Sequence, residues 1–583
     1  MKTGKRITRG LGLLICLIAF AIPALAQDYD LVINNGRVMD LETMFDDIAN
    51  VGITKGRIVA ISKQPLSGTE TIDATGHVVA PGFIDTHYHS MDVFSTKMAL
   101  RDGVTSGMDL EAGSFNVKGW YDEKEKTGWQ VNYGTTASLL WTRMSIHDPE
   151  TDMVGPMDYA GARPYVAKSA EDGVQGWATT KSTLEEMNTI MQILDEDLRQ
   201  GAIGMAAPVA YISMGTSSYE VFMAQKVAAN YGRMTASHTR YHLLNETPTE
   251  APIAFDEMFT NAMLLGAPFL ICHNNDYGWW EIEEKLQLAR AKGLNMWSEY
   301  YPYAAGATAV TADFLKPSEW VEKRGFKYEE TIFDPIDNAY LTNETYAALM
   351  KKEPGRSVVV VFPYRKPWLK DFLTIPHMTI AADAMVGVGP DGESLPWEAD
   401  WKDYRGHPRT AGTRGTAFRM AREQGVPLMF TIAQSSYWAA LHLGNAGLEA
   451  MKQRGRIQIG KVADITIFNP ETITDNSTFK IGENGLPTTG IPYVIVNGVT
   501  VVKDSEVLPV KAGQEIRFPV EAKGRFTPLD KNHWLAKHTV NPGLSHIHTD
   551  DCCAAALVKH GEEALLKHDK EASHNHDKEV KKE

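Results

Sequence analysis

Val78-Val79-Ala80-Pro81-Gly82-Phe83-Ile84-Asp85-Thr86-His87-Tyr88-His89 is the stretch on which the fold turns. Its apolar run, broken only by Pro81-Gly82, predicts a buried strand. Residues two apart on a strand share a face, so His87 and His89 project together from its C-terminal end. In a parallel α/β barrel that end carries the active site. Two imidazoles side by side make half of a metal site. A lone His-x-His carries little weight, but further ligand candidates follow downstream.

Outward from this stretch, residues 81–450 alternate short apolar runs with amphipathic ones. Leu184 to Arg199 carries Met187, Ile190, Leu194 and Leu198 at helical spacing and stops at Gly201. Val221 to Ala229 and Glu281 to Lys292 predict two more helices, the second followed by a strand at Leu294 to Trp297. Such alternation predicts βα units around a parallel sheet, and a (β/α)8 barrel of about 250 to 400 residues fits the span. The polar stretch 315–355 reads as an inserted lid or subdomain. Leu31 to Met39, with Asn35-Gly36 inside it, reads as a β-hairpin, and Val51 to Ile61 and Tyr493 to Val502 repeat the pattern. Ala463 to Phe468 alternates as a strand. The fold class is therefore α/β, a TIM-like barrel with a small β-sandwich domain built from both chain ends, 27–80 and 451–520. Residues 521–583, with eight of the 18 histidines, read as a flexible or partly helical appendage.

Composition narrows the function. The net charge of −15 over 583 residues, with no basic stripe, argues against a nucleic-acid partner. Lys2, Lys5, Arg6 and Arg9, the apolar Leu11 to Ala21 and then Ala24-Leu25-Ala26 read as a signal peptide over 1–26, so a periplasmic or secreted protein is expected. No later segment is apolar enough to span a membrane. Cys272, Cys552 and Cys553 are too few for a disulfide scaffold.

Four further polar residues each end an apolar run: Glu111 after Gly103 to Leu110, His238 after Met234 to Ser237, His273 after Ala267 to Cys272, and Asp383 after Met378 to Ala382. With His87 and His89 they form a ligand set of imidazoles and carboxylates suited to zinc. Zinc acidifies a water molecule and polarises a carbonyl; a nearby carboxylate must then relay the proton. Asp383, alone on the last candidate barrel strand, is assigned that role. The set is the machinery for hydrolysing an amide.

Pro81 to His89 resembles the opening signature of the amidohydrolase superfamily. Gly201-Ala202-Ile203-Gly204-Met205, Ser237-His238-Thr239-Arg240, Tyr301 to Gly306, His407-Pro408-Arg409 and Arg454 to Asp464 resemble the D-aminoacylase (N-acyl-D-amino-acid deacylase) branch. The resemblance covers about 30–510. It implies a (β/α)8 barrel with a small β domain, one or two zinc ions per chain, and hydrolysis of N-acyl-D-amino acids, acidic ones among them. The sequence departs from the branch at Glu111-Ala112-Gly113, where Ala112 stands at a metal-bridging cysteine position. Glu111, one residue earlier, is the substitute bridge; otherwise the site holds a single ion and Glu111 is a buried carboxylate paired with an arginine.

Arg240 and Arg409 lie beside site residues and suit a substrate carboxylate, with a structural salt bridge as the alternative for each. Tyr303 is placed to hydrogen-bond the scissile carbonyl, and Tyr211 to line the pocket. His147, His242, His377 and His442 are assigned to packing or surface. Ser545 to Cys553 is either a separate metal site or a solvated tail. Two other functions stay open beside the deacylase: a dipeptidase or cyclic-amide hydrolase of the same superfamily, and a non-catalytic metal-binding protein. Oligomeric state is left open as well.

Overall fold

The computed structural model describes residues 29–171, 175–240 and 250–539, together with Met1. The expected signal peptide, His242 and the Ser545 to Cys553 motif lie outside the described residues. The chain divides into a main unit, Met1–Phe526, and a second unit, Thr527–Glu583. Of the second, the described part is the helix Lys531–His538. Among the described residues no helix is long and apolar enough to cross a membrane.

Eight parallel strands of the main unit form one sheet in chain order: Phe83–Asp85, Val104–Ser114, Asn132–Ser138, Gly204–Pro208, Met234–His238, Phe269–Ile271, Met296–Tyr300 and Met378–Ile380. They are termed barrel strands one to eight. All are buried, as strands enclosed by helices must be. The helices between them follow ordinary rules. Leu184–Arg199, for example, opens on a capping box of Thr183 and Glu186 and buries Met187, Ile190, Leu194 and Leu198. The barrel floor is filled by Ile84, Met108, Met234, Leu270, Trp297 and Ile516.

Strands one and eight are joined across the barrel seam by side chains as well as backbone. The Ala384 N–H donates to His87 O at 3.3 Å. Asp85 accepts from the Ala382 N–H at 3.2 Å and from Arg414 Nη1 at 2.6 Å. Arg414 Nη2 also donates to Ile84 O at 3.2 Å and Ile380 O at 3.1 Å, one carbonyl on each strand. A single buried guanidinium thus stitches the first strand to the last.

Nine more strands form a second sheet from both chain ends. Val78–Pro81 from the N-terminal side pairs antiparallel with Ile465–Phe468 from the C-terminal side, Pro81 opposite Ile465. Only Gly82 separates this strand from barrel strand one, and a Cβ there would lie 2.3 Å from the Thr105 hydroxyl. One expected hairpin is absent. Tyr29–Asp40 is a single strand, and Asn34-Asn35 forms a bulge where the register jumps between Ile33 and Gly36. Asn35 takes φ 61°, and its N–H is held by the Asn50 side chain at 2.8 Å, so the chain kinks without turning back. Lys55-Gly56 and Asn497-Gly498, with φ positive at both residues of each pair, do turn hairpins.

Between barrel strands seven and eight lies a four-stranded antiparallel sheet: Ala305–Ala309, Ser357–Val361, Ile332–Asp334 and Ala339–Tyr340, in that spatial order. It has its own core, with Trp320, Tyr328 and Tyr346 at its centre. The inserted structure therefore begins before residue 315 and ends after 355.

Candidate metal centre

Every ligand candidate sits at the C-terminal end of a barrel strand. His87 and His89 follow strand one, His238 ends strand five, His273 follows strand six and Asp383 follows strand eight. Glu111 is delivered by a bulge in strand two. There the pairing with strand three jumps from Asp109 opposite Thr135 to Ser114 opposite Ala137. Asp109 Oδ1 accepts the Ala112 N–H at 3.0 Å and the Gly113 N–H at 3.1 Å, and Gly113 has φ +67°. The bulge re-aims Glu111 toward the barrel axis. Asp383 itself holds φ 49°, an uncommon conformation for a non-glycine residue.

The six side chains converge and are all buried. His87 Nε2 lies 3.0 Å from His89 Nε2. Asp383 Oδ1 is 3.4 Å from His87 Nε2 and 3.5 Å from His89 Nε2. Asp383 Oδ2 is 3.2 Å from His273 Nε2. Glu111 divides its two oxygens: Oε2 is 3.7 Å from His87 Nε2 and 3.6 Å from His89 Nε2, while Oε1 is 3.7 Å from His238 Nδ1. One carboxylate therefore faces both halves of the cluster, as a bridge would.

Two carboxylates behind the ligands fix the imidazoles. His87 Nδ1 contacts Glu299 Oε1 at 2.7 Å, and Glu299 Oε2 accepts from the Thr86 hydroxyl at 2.6 Å. His89 Nδ1 contacts Asp109 Oδ2 at 2.9 Å. When both rings are neutral and donate through Nδ1, both Nε2 atoms carry lone pairs that face each other. Two lone pairs 3.0 Å apart repel, and a cation bound at about 2.0–2.1 Å by each nitrogen relieves the repulsion. Glu111 Oε1 is likewise buried with no hydrogen-bond partner. Burial alone would lower His87, yet without a metal ion Asp383, Glu299 and Glu111 raise it to about 10, so that a proton takes the place among the carboxylates that a cation would hold. Burial pushes Glu111 up to about 7 against the pull of His87 and His89. Burial also lowers His273, which is a neutral imidazole fit to bind a metal. The residues present fit a metal ion, and His87, His89, Glu111, His238, His273 and Asp383 would hold it.

The four remaining site residues lie in different surroundings. Arg409 sits directly behind Asp383, with Nη2 2.9 Å from Oδ1. Burial opposes ionisation of Asp383, but Arg409 and then His87 hold it well below the usual carboxylate range. Arg409 Nε and Nη1 are buried without hydrogen-bond partners. Arg240 grips Glu257 through Nε at 2.9 Å and Nη2 at 2.8 Å, and its Nη1 donates to Ser213 O and Thr216 O. It is a salt bridge outside the cleft wall. Tyr303 is turned away too, its hydroxyl 2.8 Å from Thr416 Oγ1 and its ring on His407. Tyr211 lines the cleft, its ring 5.2 Å from that of His238.

The cleft above the centre has a volume of about 1140 Å³ and an aromatic wall of Trp141, Tyr159, Trp177, Tyr211 and Tyr346. Tyr159 stacks on His89 with ring centroids 4.9 Å apart. Sequence reasoning missed Asp109, Glu299 and Tyr159. An acid inside a buried strand, as in Trp297-Ser298-Glu299-Tyr300, was a usable signal; Tyr159 gives none.

Residues 70–205 match the Amidohydrolase family. Among curated relatives, D-aminoacylase of Alcaligenes xylosoxydans xylosoxydans is 23% identical over 84% of this chain and 98% of its own length. N-acyl-D-glutamate deacylase of the same organism is 25% identical over 82% and 94%. Among solved structures, N-acyl-D-glutamate deacylase from Bordetella bronchiseptica, complexed with zinc and a phosphonate mimic of the tetrahedral intermediate, superposes with TM-score 0.63. It is 20% identical and covers 84% of this chain and 100% of its own. A D-aminoacylase structure gives 0.62 at 20% identity with the same coverage. Over most of its length the chain is thus similar to the D-aminoacylase branch of the amidohydrolase superfamily, a likeness that indicates a metal-dependent hydrolase of amide bonds.

Proposed function

We propose that this chain is an exported zinc enzyme that releases D-amino acids from their N-acyl forms. The observation that carries the metal chemistry is the convergence of His87, His89, His238 and His273 on Asp383 and the two-sided Glu111. The deacylase reading draws its support from the chain's full-length similarity to D-aminoacylase and N-acyl-D-glutamate deacylase.

A bound metal ion acidifies water and polarises the scissile carbonyl. The chain's own residues do the rest. Asp383, kept ionised by Arg409, takes a proton from water and returns it to the departing amide nitrogen. Arg409 is sealed behind the cleft, and its role is to hold Asp383 ionised and in place through Nη2. Glu299 and Asp109 hold His87 and His89 in one tautomer. The aromatic wall excludes water from the reacting bond.

The test is release of amino acid from enantiomeric N-acetyl pairs by the zinc-loaded protein, alongside zinc counted on a chain ending at Phe526. D over L selectivity of at least about 100-fold (~2.7 kcal/mol) and two zinc per chain are expected. One zinc would make Glu111 a ligand of a single ion. Turnover of cyclic amides with none of N-acyl-D-amino acids would replace the deacylase by its cyclic-amide relative, and no metal at all would overturn the proposal. Export is tested by sequencing the recovered protein, whose first residue is expected to be Gln27.

A further inference from the structure

The helix Tyr159–Ser169, in the connection after barrel strand three, forms one wall of the cleft and carries a charge the proposed chemistry does not use. Its first residue, Tyr159, stacks on His89. Arg163 lies four residues further on, about 6 Å along the axis and on the same face, and both line the cleft. Among the described residues, Arg163 makes one hydrogen bond, Nη2 to Gly392 O at 3.1 Å, and no ion pair. Its other N–H groups are not sealed in protein, since no nitrogen of Arg163 is both fully buried and unpartnered. Among the described residues no carboxylate answers the donors that Arg163 leaves at the cleft wall.

The surroundings add to this. Lys168, Lys316, Lys351 and Lys352 also line the cleft, against only Glu171 and Asp313 beyond the metal centre, although the chain as a whole carries −15. Lys168, Lys316 and Lys352 have Asp152, Asp313 and Glu353 beside them, whereas Arg163 has no such partner among the described residues. A cation without a carboxylate partner in a cleft favours an anionic ligand. At about 1140 Å³ it also exceeds the roughly 300–1,000 Å³ typical of small-molecule sites, so there is room for a substrate with two charged ends.

Building on the deacylase function proposed for this site, we infer that Arg163 is a specificity-determining residue that binds a second carboxylate of the substrate, carried beyond the scissile amide. Arg409 stands behind Asp383 on the eighth-strand side, and Arg163 stands on the wall that follows strand three. A substrate whose scissile amide lies at the metal centre presents its other end to Arg163. That second carboxylate can come from the amino-acid side chain or from the far end of the acyl group.

Three compounds separate these sources: N-acetyl-D-glutamate, N-succinyl-D-leucine and the monoanion N-acetyl-D-leucine. In the full-length zinc-loaded protein, Arg163→Met is expected to lower kcat/KM about 30-fold on one of the dianions, mostly through KM, the scale of one charge-assisted fork. The monoanion is expected to change less than about 3-fold, and Arg163→Lys to restore part of the loss by keeping the charge. The dianion affected identifies the source. Equal losses on all three compounds, or no loss on either dianion, would overturn the assignment.

Calorimetric binding in an Asp383→Asn background, with and without Arg163→Met, gives an answer that does not depend on turnover. A preference for a dianion over N-acetyl-D-leucine that disappears with Arg163→Met supports the subsite even if the native protein hydrolyses none of the three, an outcome that would count against the deacylase function alone. Absence of any such preference overturns the inference.

Discussion

Glu299 shows how much of this site is decided one layer behind its ligands. Both its oxygens are used, one on His87 and one on Thr86, so it sets the ring's tautomer and its tilt. Glu299→Gln is expected to weaken metal binding about 10- to 100-fold, the usual cost of losing an outer partner, measured by competition with a chelator. An unchanged affinity would mean that backbone packing alone orients His87. The six residues that converge on the centre were legible in the sequence because a polar residue ending an apolar run is conspicuous. The arginines and tyrosines were not. Arg240 and Arg409 look alike on paper, each within two residues of a histidine, yet Arg240 meets Glu257 and Arg409 meets Asp383. Which carboxylate an arginine finds depends on tertiary packing that no local pattern records. Tyr303 meets Thr416, 113 residues away, for the same reason.

Elements obey local rules until packing overrides them. Asn35-Gly36 and Asn497-Gly498 are the same dipeptide. The second turns a hairpin and the first sits in a bulge, because Asn50 on the facing strand captures the Asn35 N–H. Helices were read more faithfully: Leu184–Arg199 has the predicted ends because cap and stop are both written locally. The connection after barrel strand seven was underestimated, since its small sheet draws on Ala305–Ala309 and Ser357–Val361, runs that look like barrel segments.

Where the last barrel strand begins, His377 Nδ1 meets His442 Nε2 at 3.0 Å, and His442 Nδ1 meets Asn295 Oδ1 at 2.7 Å, with the His442 ring flat on Trp297. The contact between the two imidazoles needs an unprotonated acceptor nitrogen on one of them. Burial lowers His377 to about 4, and burial and then His377 itself lower His442 further below its ordinary value. The unfolded chain takes up these protons near 6.5, whereas the folded chain takes up that of His377 only near 4 and that of His442 well below its ordinary value. The contribution is therefore complete above about 6.5 and declines as pH falls toward 4. His442→Gln, which cannot titrate, is expected to lose less Tm than the native protein between pH 7 and 4.5. Parallel melting curves would rule this out.

Across the whole molecule, closure depends on residues far apart in sequence. Arg414 stitches barrel strand one to strand eight through Asp85. Removing one partner of a buried pair leaves the other charge uncompensated, so Arg414→Met is expected to cost about 3–5 kcal/mol in denaturant unfolding. Ile516, in the segment that crosses the barrel floor, is a second long-range clasp. Its N–H donates to Tyr133 O at 2.7 Å, and its side chain joins the core beside Met108 and Trp297. Ile516→Ala is expected to cost about 2–5 kcal/mol by the same measurement; a loss under about 1 kcal/mol would make the segment a surface decoration. Neither clasp was legible, because a lone arginine in a helix or an isoleucine in a polar stretch does not announce its partner.

The strand that opens the metal site is continuous, through Gly82 alone, with Val78–Pro81, whose partner Ile465–Phe468 is written near the other end of the chain. A ribosome adding roughly 5–20 residues per second reaches that partner tens of seconds after the first two histidines have been made. For that interval the edge of Val78–Pro81 has no neighbour on one side. The newborn polypeptide must be kept from pairing with its siblings until its own tail arrives.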